Sequence, residues 1–147
     1  MDGQAIAAIG LALCAGLCGA GSAIGLYHTG SAASGVLAED PKKFSKVLIL
    51  VVLPATQGIY GFVLGIMGMG SLSTITTLGA GLKMFGAALP LAISGFISGI
   101  FQGKTAVGGI YAIAKNESLS GKLILFPAMV ETYAILGLVV SILLMGA

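Results

Sequence analysis

Apolar and small residues fill four long runs of this chain, Gly3–Tyr27, Val47–Gly70, Met84–Ala114 and Leu123–Gly146, and most of the charge lies between them. Each run reaches the roughly 20 residues that a helix needs to cross about 30 Å of hydrocarbon. The pattern predicts four transmembrane helices, over about 3–36, 47–70, 82–114 and 122–146. The first two are separated by Ala38-Glu39-Asp40-Pro41-Lys42-Lys43, a charged turn with a proline stop, and the last two by the polar turn Lys115-Asn116-Glu117-Ser118. The middle connection, 70–81, is Ser, Thr and Gly without charge. The fold class is an all-α membrane protein, a single membrane domain over 1–147 made of two helical hairpins, 3–70 and 80–147.

Composition agrees with that solvent. Hydrophobic residues make up 57% and charged residues 8% of the chain, and the mean hydropathy is +1.08, values that a hydrated globular surface does not reach. The net charge of +2 is too small to point to nucleic acid or an acidic substrate. Lys42, Lys43, Lys46, Lys115 and Lys122 gather at one end against Lys83 at the other, so the charged turns should be cytoplasmic and both termini outside. Asp2 replaces the basic start of a cleavable signal. Cys14 and Cys18, at i and i+4 in an apolar helix, read as small packing residues: a metal would need more ligands and a disulfide better geometry.

The two hairpins repeat each other. With Tyr60 laid on Tyr133, Gly30 meets Gly103, Gly35 meets Gly108 and Pro54-Ala55 meets Pro127-Ala128. An even number of crossings per copy makes the copies parallel, which is a tandem duplication and not an inverted transporter repeat. At one place they differ decisively, since Gly58 stands where the second copy has Glu131.

Small residues recur every fourth position: Gly95, Gly99 and Gly103 in the third span, and Ala12, Gly16, Ala20 and Ala15, Gly19, Ala23 in the first. Such rows let helix backbones approach closely in lipid. Packing within one chain would explain them; because they cover more than one face, they also favour a tight oligomer.

Glu131 is the one charged side chain in Leu123–Ala147. A carboxylate at that depth costs about 3 kcal/mol or more, and such residues commonly line ion or proton paths. Thr56 and Gln57 in the second span and Gln102 in the third lie at similar depth, at about 1.5 Å of rise per residue. Leu53, Thr56, Gln57 and Tyr60 share one helix face, beside a backbone that Pro54 disturbs. A carboxylate, two amide carbonyls, a hydroxyl and a helix carbonyl would supply the oxygens with which a hard monovalent cation replaces its water. A proton on Glu131 would need only one or two partners. Sodium, or lithium, therefore competes with a proton, and with the plainer possibility that the polar residues only join helices.

Leu53-Pro54-Ala55-Thr56-Gln57-Gly58-Ile59-Tyr60-Gly61, Phe101-Gln102-Gly103 and Phe126-Pro127-Ala128-Met129-Val130-Glu131-Thr132-Tyr133-Ala134 resemble the motifs of the V-type ATPase proteolipids, the c/K subunits of membrane rotor rings, and above all the K subunits of bacterial sodium-translocating V-ATPases. The resemblance spans all four runs. It implies a non-catalytic subunit in a ring of identical copies, with the first and third helices facing the ring interior and the second and fourth outward. It implies sodium, with the proton as alternative, bound by the side chains of Glu131, Gln102, Gln57 and Thr56 and by the backbone carbonyl of Leu53. Tyr60 would hold the carboxylate in its closed rotamer. The implied partners are the lipid bilayer, a stator subunit that supplies a cation opposite Glu131, and a central stalk that meets the loops near 37–46 and 115–121. The implied location is a bacterial cell membrane.

The chain holds seven Lys and no Arg, so the discharging cation should come from a partner. Lys104, two residues past Gln102, lies on roughly the opposite side of its helix and should snorkel to the cytoplasmic rim. Paired with Glu131 it would defeat a cation site. Tyr27 and His28 read as helix-end residues. No Gly-rich loop opens a helix after a strand, so Lys104-Thr105 is not a nucleotide motif. A small four-helix transporter remains a third reading, against which the parallel duplication and the Lys asymmetry weigh.

Overall fold

The computed structural model describes residues 2–147, and every regular element among them is helical. Helix α1 runs Gly3–Glu39, opened by Asp2, whose carboxylate accepts from the Gln4 amide at 2.8 Å. It continues past the expected end near 36, because Leu37, Ala38 and Glu39 all favour helix and the first breaker is Asp40-Pro41. Asp40 is driven to φ −145° and ψ 93°, as a residue before proline tends to be. Its carboxylate then accepts from the Lys42 amide at 3.1 Å.

The second crossing is composite: a 3₁₀ turn at Pro41–Lys43, α2 at Phe44–Val52, a second 3₁₀ turn at Leu53–Ala55, and α3 at Thr56–Met69. Pro54 causes the break, since it cannot donate four residues back. Helix α4 runs Leu78–Lys115, with Thr77 Oγ1 accepting from the Ala80 amide at 3.2 Å. It begins earlier than the expected 82 because that cap starts the helix at Leu78, even though Gly79 and Gly81 are poor helix formers. After a 3₁₀ turn at Glu117–Leu119 come α5, Ser120–Leu123, and α6, Leu125–Gly146. Pro127 falls in the first turn of α6, where the amide it lacks would have had no intrahelical partner. The four crossings, Gly3–Glu39, Pro41–Met69, Leu78–Lys115 and Glu117–Gly146, are each long and apolar enough to span a membrane.

Helix α1 lies along α4 in backbone contact. A Cβ added to Gly99 would stand 2.7 Å from the Gly21 carbonyl carbon, and one added to Gly10 would stand 2.7 Å from Phe85 Cα. Only glycine allows that approach, and it replaces the hydrophobic driving force that lipid removes. The row Gly95, Gly99, Gly103 does face α1. The α1 side of the contact, however, is built from Gly10, Gly21 and Gly25. Ala12, Gly16, Gly19, Ala20 and Ala23 are turned outward and exposed in the single chain, and a Cβ at Gly16 or Gly19 would meet no atom within 4 Å.

Helix α3 packs on α1 and α6 on α4, so α1 and α4 form one layer and the other two crossings a second. Cys14 and Cys18 are buried and unbridged with Leu64, Ala88, Leu91 and Ala92, and Cys18 Sγ donates to the Leu91 carbonyl at 3.4 Å. Lys43 Nζ donates to the Ala114 carbonyl at 2.6 Å and pairs with Asp40 at 3.8 Å, so the two charged turns share one end. At the other end Leu72, Ile75 and Met145 cover Ala7, Leu11 and Met84. Within the single chain the fourth crossing is the least covered and α4 the most.

Candidate functional site

The break in the second crossing brings a backbone carbonyl and two side chains to one place. In the tight turn the Thr56 amide reaches back only three residues to the Leu53 carbonyl, and Thr56 Oγ1 donates to the same oxygen at 3.1 Å. Thr56 Oγ1 also stands 3.4 Å from Gln57 Oε1. Gln57 is fully buried and points across to α4, where its Nε2 donates to Gln102 Oε1 at 2.6 Å. Gln102, equally buried, donates from Nε2 to Glu131 Oε2 at 3.0 Å. The other carboxylate oxygen, Oε1, accepts from Tyr60 OH at 2.6 Å.

Leu53, Thr56, Gln57, Gln102, Glu131 and Tyr60 thus form one continuous hydrogen-bonded run through α3, α4 and α6. Its consequence for Glu131 is direct. Both carboxylate oxygens are held by donors from helices on the inner side of α6, so the group is drawn inward and half-buried. Such donors lower the cost of a carboxylate in a low-dielectric medium. The run is also rich in oxygens with lone pairs to spare, and two of its members are terminal amides, whose rotation exchanges an N–H for a C=O at the same place.

Lys104 takes no part. It is exposed on α4, its Nζ 5.4 Å from the centre of the Phe101 ring, and the ion pair found among the described residues is the one between Lys43 and Asp40. His28 lies against its neighbour Tyr27, ring centres 5.5 Å apart.

Two residues that hold the segment around Pro54 carry no obvious mark in the sequence. Thr29, fully buried on α1, donates to the Val51 carbonyl at 2.8 Å. Ser22, one face and two turns earlier on α1, accepts from the Gly58 amide at 2.8 Å. Both lie level with Pro54, and pairing α1 antiparallel with the second crossing would have found them. Away from the site, Pro90 lies inside the continuous helix α4, and Ser141 Oγ on α6 accepts from the adjoining Leu91 amide at 3.1 Å.

The profile of the ATP synthase C-subunit family matches residues 9–68 and again residues 85–144, one copy on each hairpin. Over 97% of its length the chain is 45% identical to the V-type sodium ATPase subunit K of Enterococcus hirae, of which it covers 91%. Over 99% of its length it is 39% identical to the A-type ATP synthase subunit K of Methanocaldococcus jannaschii, of which it covers 64%. Over 84% it is 27% identical to the 16 kDa proteolipid of the V-type proton ATPase of Homo sapiens, covering 80% of that protein.

Proposed function

This chain belongs to the ATP synthase C-subunit family as a duplicated, non-catalytic rotor proteolipid of the V/A-type ATPases, and on that premise we propose that it carries one sodium ion per subunit at Glu131 as a ring of identical copies turns. The observation that supports this reading is the oxygen-rich run from the Leu53 carbonyl through Thr56, Gln57 and Gln102 to Glu131. Tyr60 and Gln102 both donate to the Glu131 oxygens, which suits the ionised carboxylate and offers no acceptor to the proton of a neutral acid. The further hydroxyl, amide and carbonyl have a use if a cation is held among them. The 45% identity to a subunit of a sodium ATPase supports the same ion.

Binding turns the Gln57 and Gln102 carbonyls toward the ion, and the Glu131 charge cancels that of the cargo. Neutral, the site crosses lipid; with the carboxylate bare it does not, because the desolvation of a lone charge opposes it. Release at the stator then requires a cation brought beside Glu131. The chain has no Arg, and Lys104 is occupied over Phe101, so a partner supplies that charge. The exposed small-residue rows Ala12, Gly16, Ala20 and Gly19, Ala23 on α1 suit close packing of neighbouring copies. The charged turns around 37–46 and 115–121 are the surface offered to a cytoplasmic stalk.

Carbodiimide labelling of Glu131 in the detergent-solubilised ring tests the assignment. Added sodium at fixed pH and ionic strength should slow labelling, whereas potassium should not. Labelling indifferent to sodium assigns the cargo as the proton, and a chain that runs as a dimer overturns the rotor reading.

A further inference from the structure

The ion-binding segment is held from outside by two hydroxyls on α1, and we propose that Ser22 and Thr29 are positioning residues that set the affinity and ion selectivity of the site. The proposal rests on the sodium reading of Glu131. The break at Pro54 disturbs the backbone on both its sides. Before it, carbonyls lose their usual amide partners: the 3₁₀ turn draws the Thr56 amide to Leu53 O, and Pro54 has no amide for Leu50 O. After it, the Thr56 amide is already drawn to Leu53 O, and the N-cap residue of α3, Ala55, has no side chain that could cap the amides that follow.

Helix α1 answers both needs from one face. Thr29 Oγ1 donates to Val51 O at 2.8 Å, closer than to the carbonyls of its own helix, Leu26 O at 3.2 Å and Gly25 O at 3.3 Å. Ser22 Oγ accepts from Gly58 N at 2.8 Å, doing from a neighbouring helix what an N-cap side chain does from its own. Both residues are buried, Thr29 fully and Ser22 at 5% exposure. They lie seven apart on α1, and the groups they hold lie seven apart on the antiparallel second crossing.

The held segment, Val51 to Gly58, contains Leu53, Thr56 and Gln57, three of the five proposed ligands. Ion selectivity in an oxygen cage depends on how rigidly its carbonyls keep their spacing. Fixing the backbone two residues before Leu53 and one residue after Gln57 supplies that rigidity, although neither hydroxyl is itself a ligand. Gly25, between the two clamps, lets Pro54 approach α1: a Cβ there would stand 2.6 Å from Pro54 Cβ.

The test is a titration of sodium and of lithium against carbodiimide labelling of Glu131, in assembled rings of the wild type, Ser22→Ala, Thr29→Val and Thr29→Ser. Each loss of a buried hydrogen bond should raise the half-protecting sodium concentration about tenfold and change the lithium-to-sodium ratio, while Thr29→Ser, which keeps the donor, should restore both. Ser34→Ala, which removes an exposed hydroxyl bonded within its own helix, should match the wild type. If Thr29→Val does not assemble, Thr29→Cys, a weaker donor of similar size, replaces it with the same expectation. Assembled variants that keep the wild-type concentration and ratio overturn the positioning role. A wild type that sodium does not protect overturns the sodium reading instead.

Discussion

Tyr60→Phe removes the oxygen and proton that bond Glu131 Oε1 at 2.6 Å, and keeps the ring that packs beside Cys14, Cys18 and Leu64. The bond is at the short end of the O–H···O range and its acceptor carries charge, which places it at about 1.5–3 kcal/mol. Glu131 is only half-buried, so the middle of that range, about 2 kcal/mol, is the expected loss, or about thirtyfold in the sodium concentration that half-protects the carboxyl. Gln102 still holds Oε2 in the variant, so binding should weaken without disappearing. The assay is sodium protection against carbodiimide in rings shown by gel mobility to be assembled. A half-protecting concentration within twofold of wild type would refute the idea that Tyr60 holds the carboxylate in its binding position.

Packing yields two further predictions. Gly99→Ala sets a methyl 2.7 Å from the Gly21 backbone and should destabilise the subunit by about 1–3 kcal/mol or more, whereas Gly108→Ala, with nothing within 4 Å, should be neutral or stabilising; thermal unfolding in detergent, followed by circular dichroism, separates them. Ser141→Ala removes the buried acceptor that the Leu91 amide reaches on α6 and should cost about 1 kcal/mol, while Ser94→Ala, which deletes a buried hydroxyl with no partner among the described residues, should cost less in the same measurement.

The crossings and the polar turns are legible from sequence because lipid allows few solutions: long apolar runs must be helices, and charge must fall between them. The members of the site are legible for the same reason, since Thr56, Gln57, Gln102 and Glu131 are costly at that depth and stand out. Ser22 and Thr29 do not stand out. Serine and threonine in a membrane helix can bond their own backbone, as Ser34 and Thr105 do, and only the register between helices shows which of them reaches a neighbour. The glycine rows carry the same ambiguity. Spacing marks Gly95, Gly99 and Gly103 as a close-packing face, but which face of α1 they meet is decided by a rotation about the helix axis, and the marked α1 rows face outward.

If Glu131 holds the ion, the duplicated hairpins divide the labour of one site, and that division bears on why there is one carboxylate and not two. With Tyr60 laid on Tyr133, Thr29 corresponds to Gln102, Ser22 to Gly95 and Gly58 to Glu131. The first copy uses its α1 position to hold backbone, through Thr29 and Val51 O; the second uses the matching position to hold a carboxylate, through Gln102 and Glu131. A carboxylate restored at residue 58 would find no amide at residue 29 to receive it. It would also crowd the clamp, since even a Cβ at Gly58 stands 3.3 Å from Ser22 Oγ and 3.6 Å from Gly19 Cα. Gly58→Glu should therefore add a half-buried charge at membrane depth without a partner, a change that costs about 3 kcal/mol. The expected outcome in rings that assemble is a second carboxyl that carbodiimide labels at a rate indifferent to sodium, together with weaker sodium protection of Glu131. Sodium protection of both carboxyls would mean that the ligand set is interchangeable between the copies, and the division of labour drawn from Thr29 and Gln102 would be wrong. On the proposed reading, one ion per four helices is the lower of the two possible loads. Each charge moved against 100 mV requires about 2.3 kcal/mol, so a ring that moves fewer ions per turn has more driving force for each.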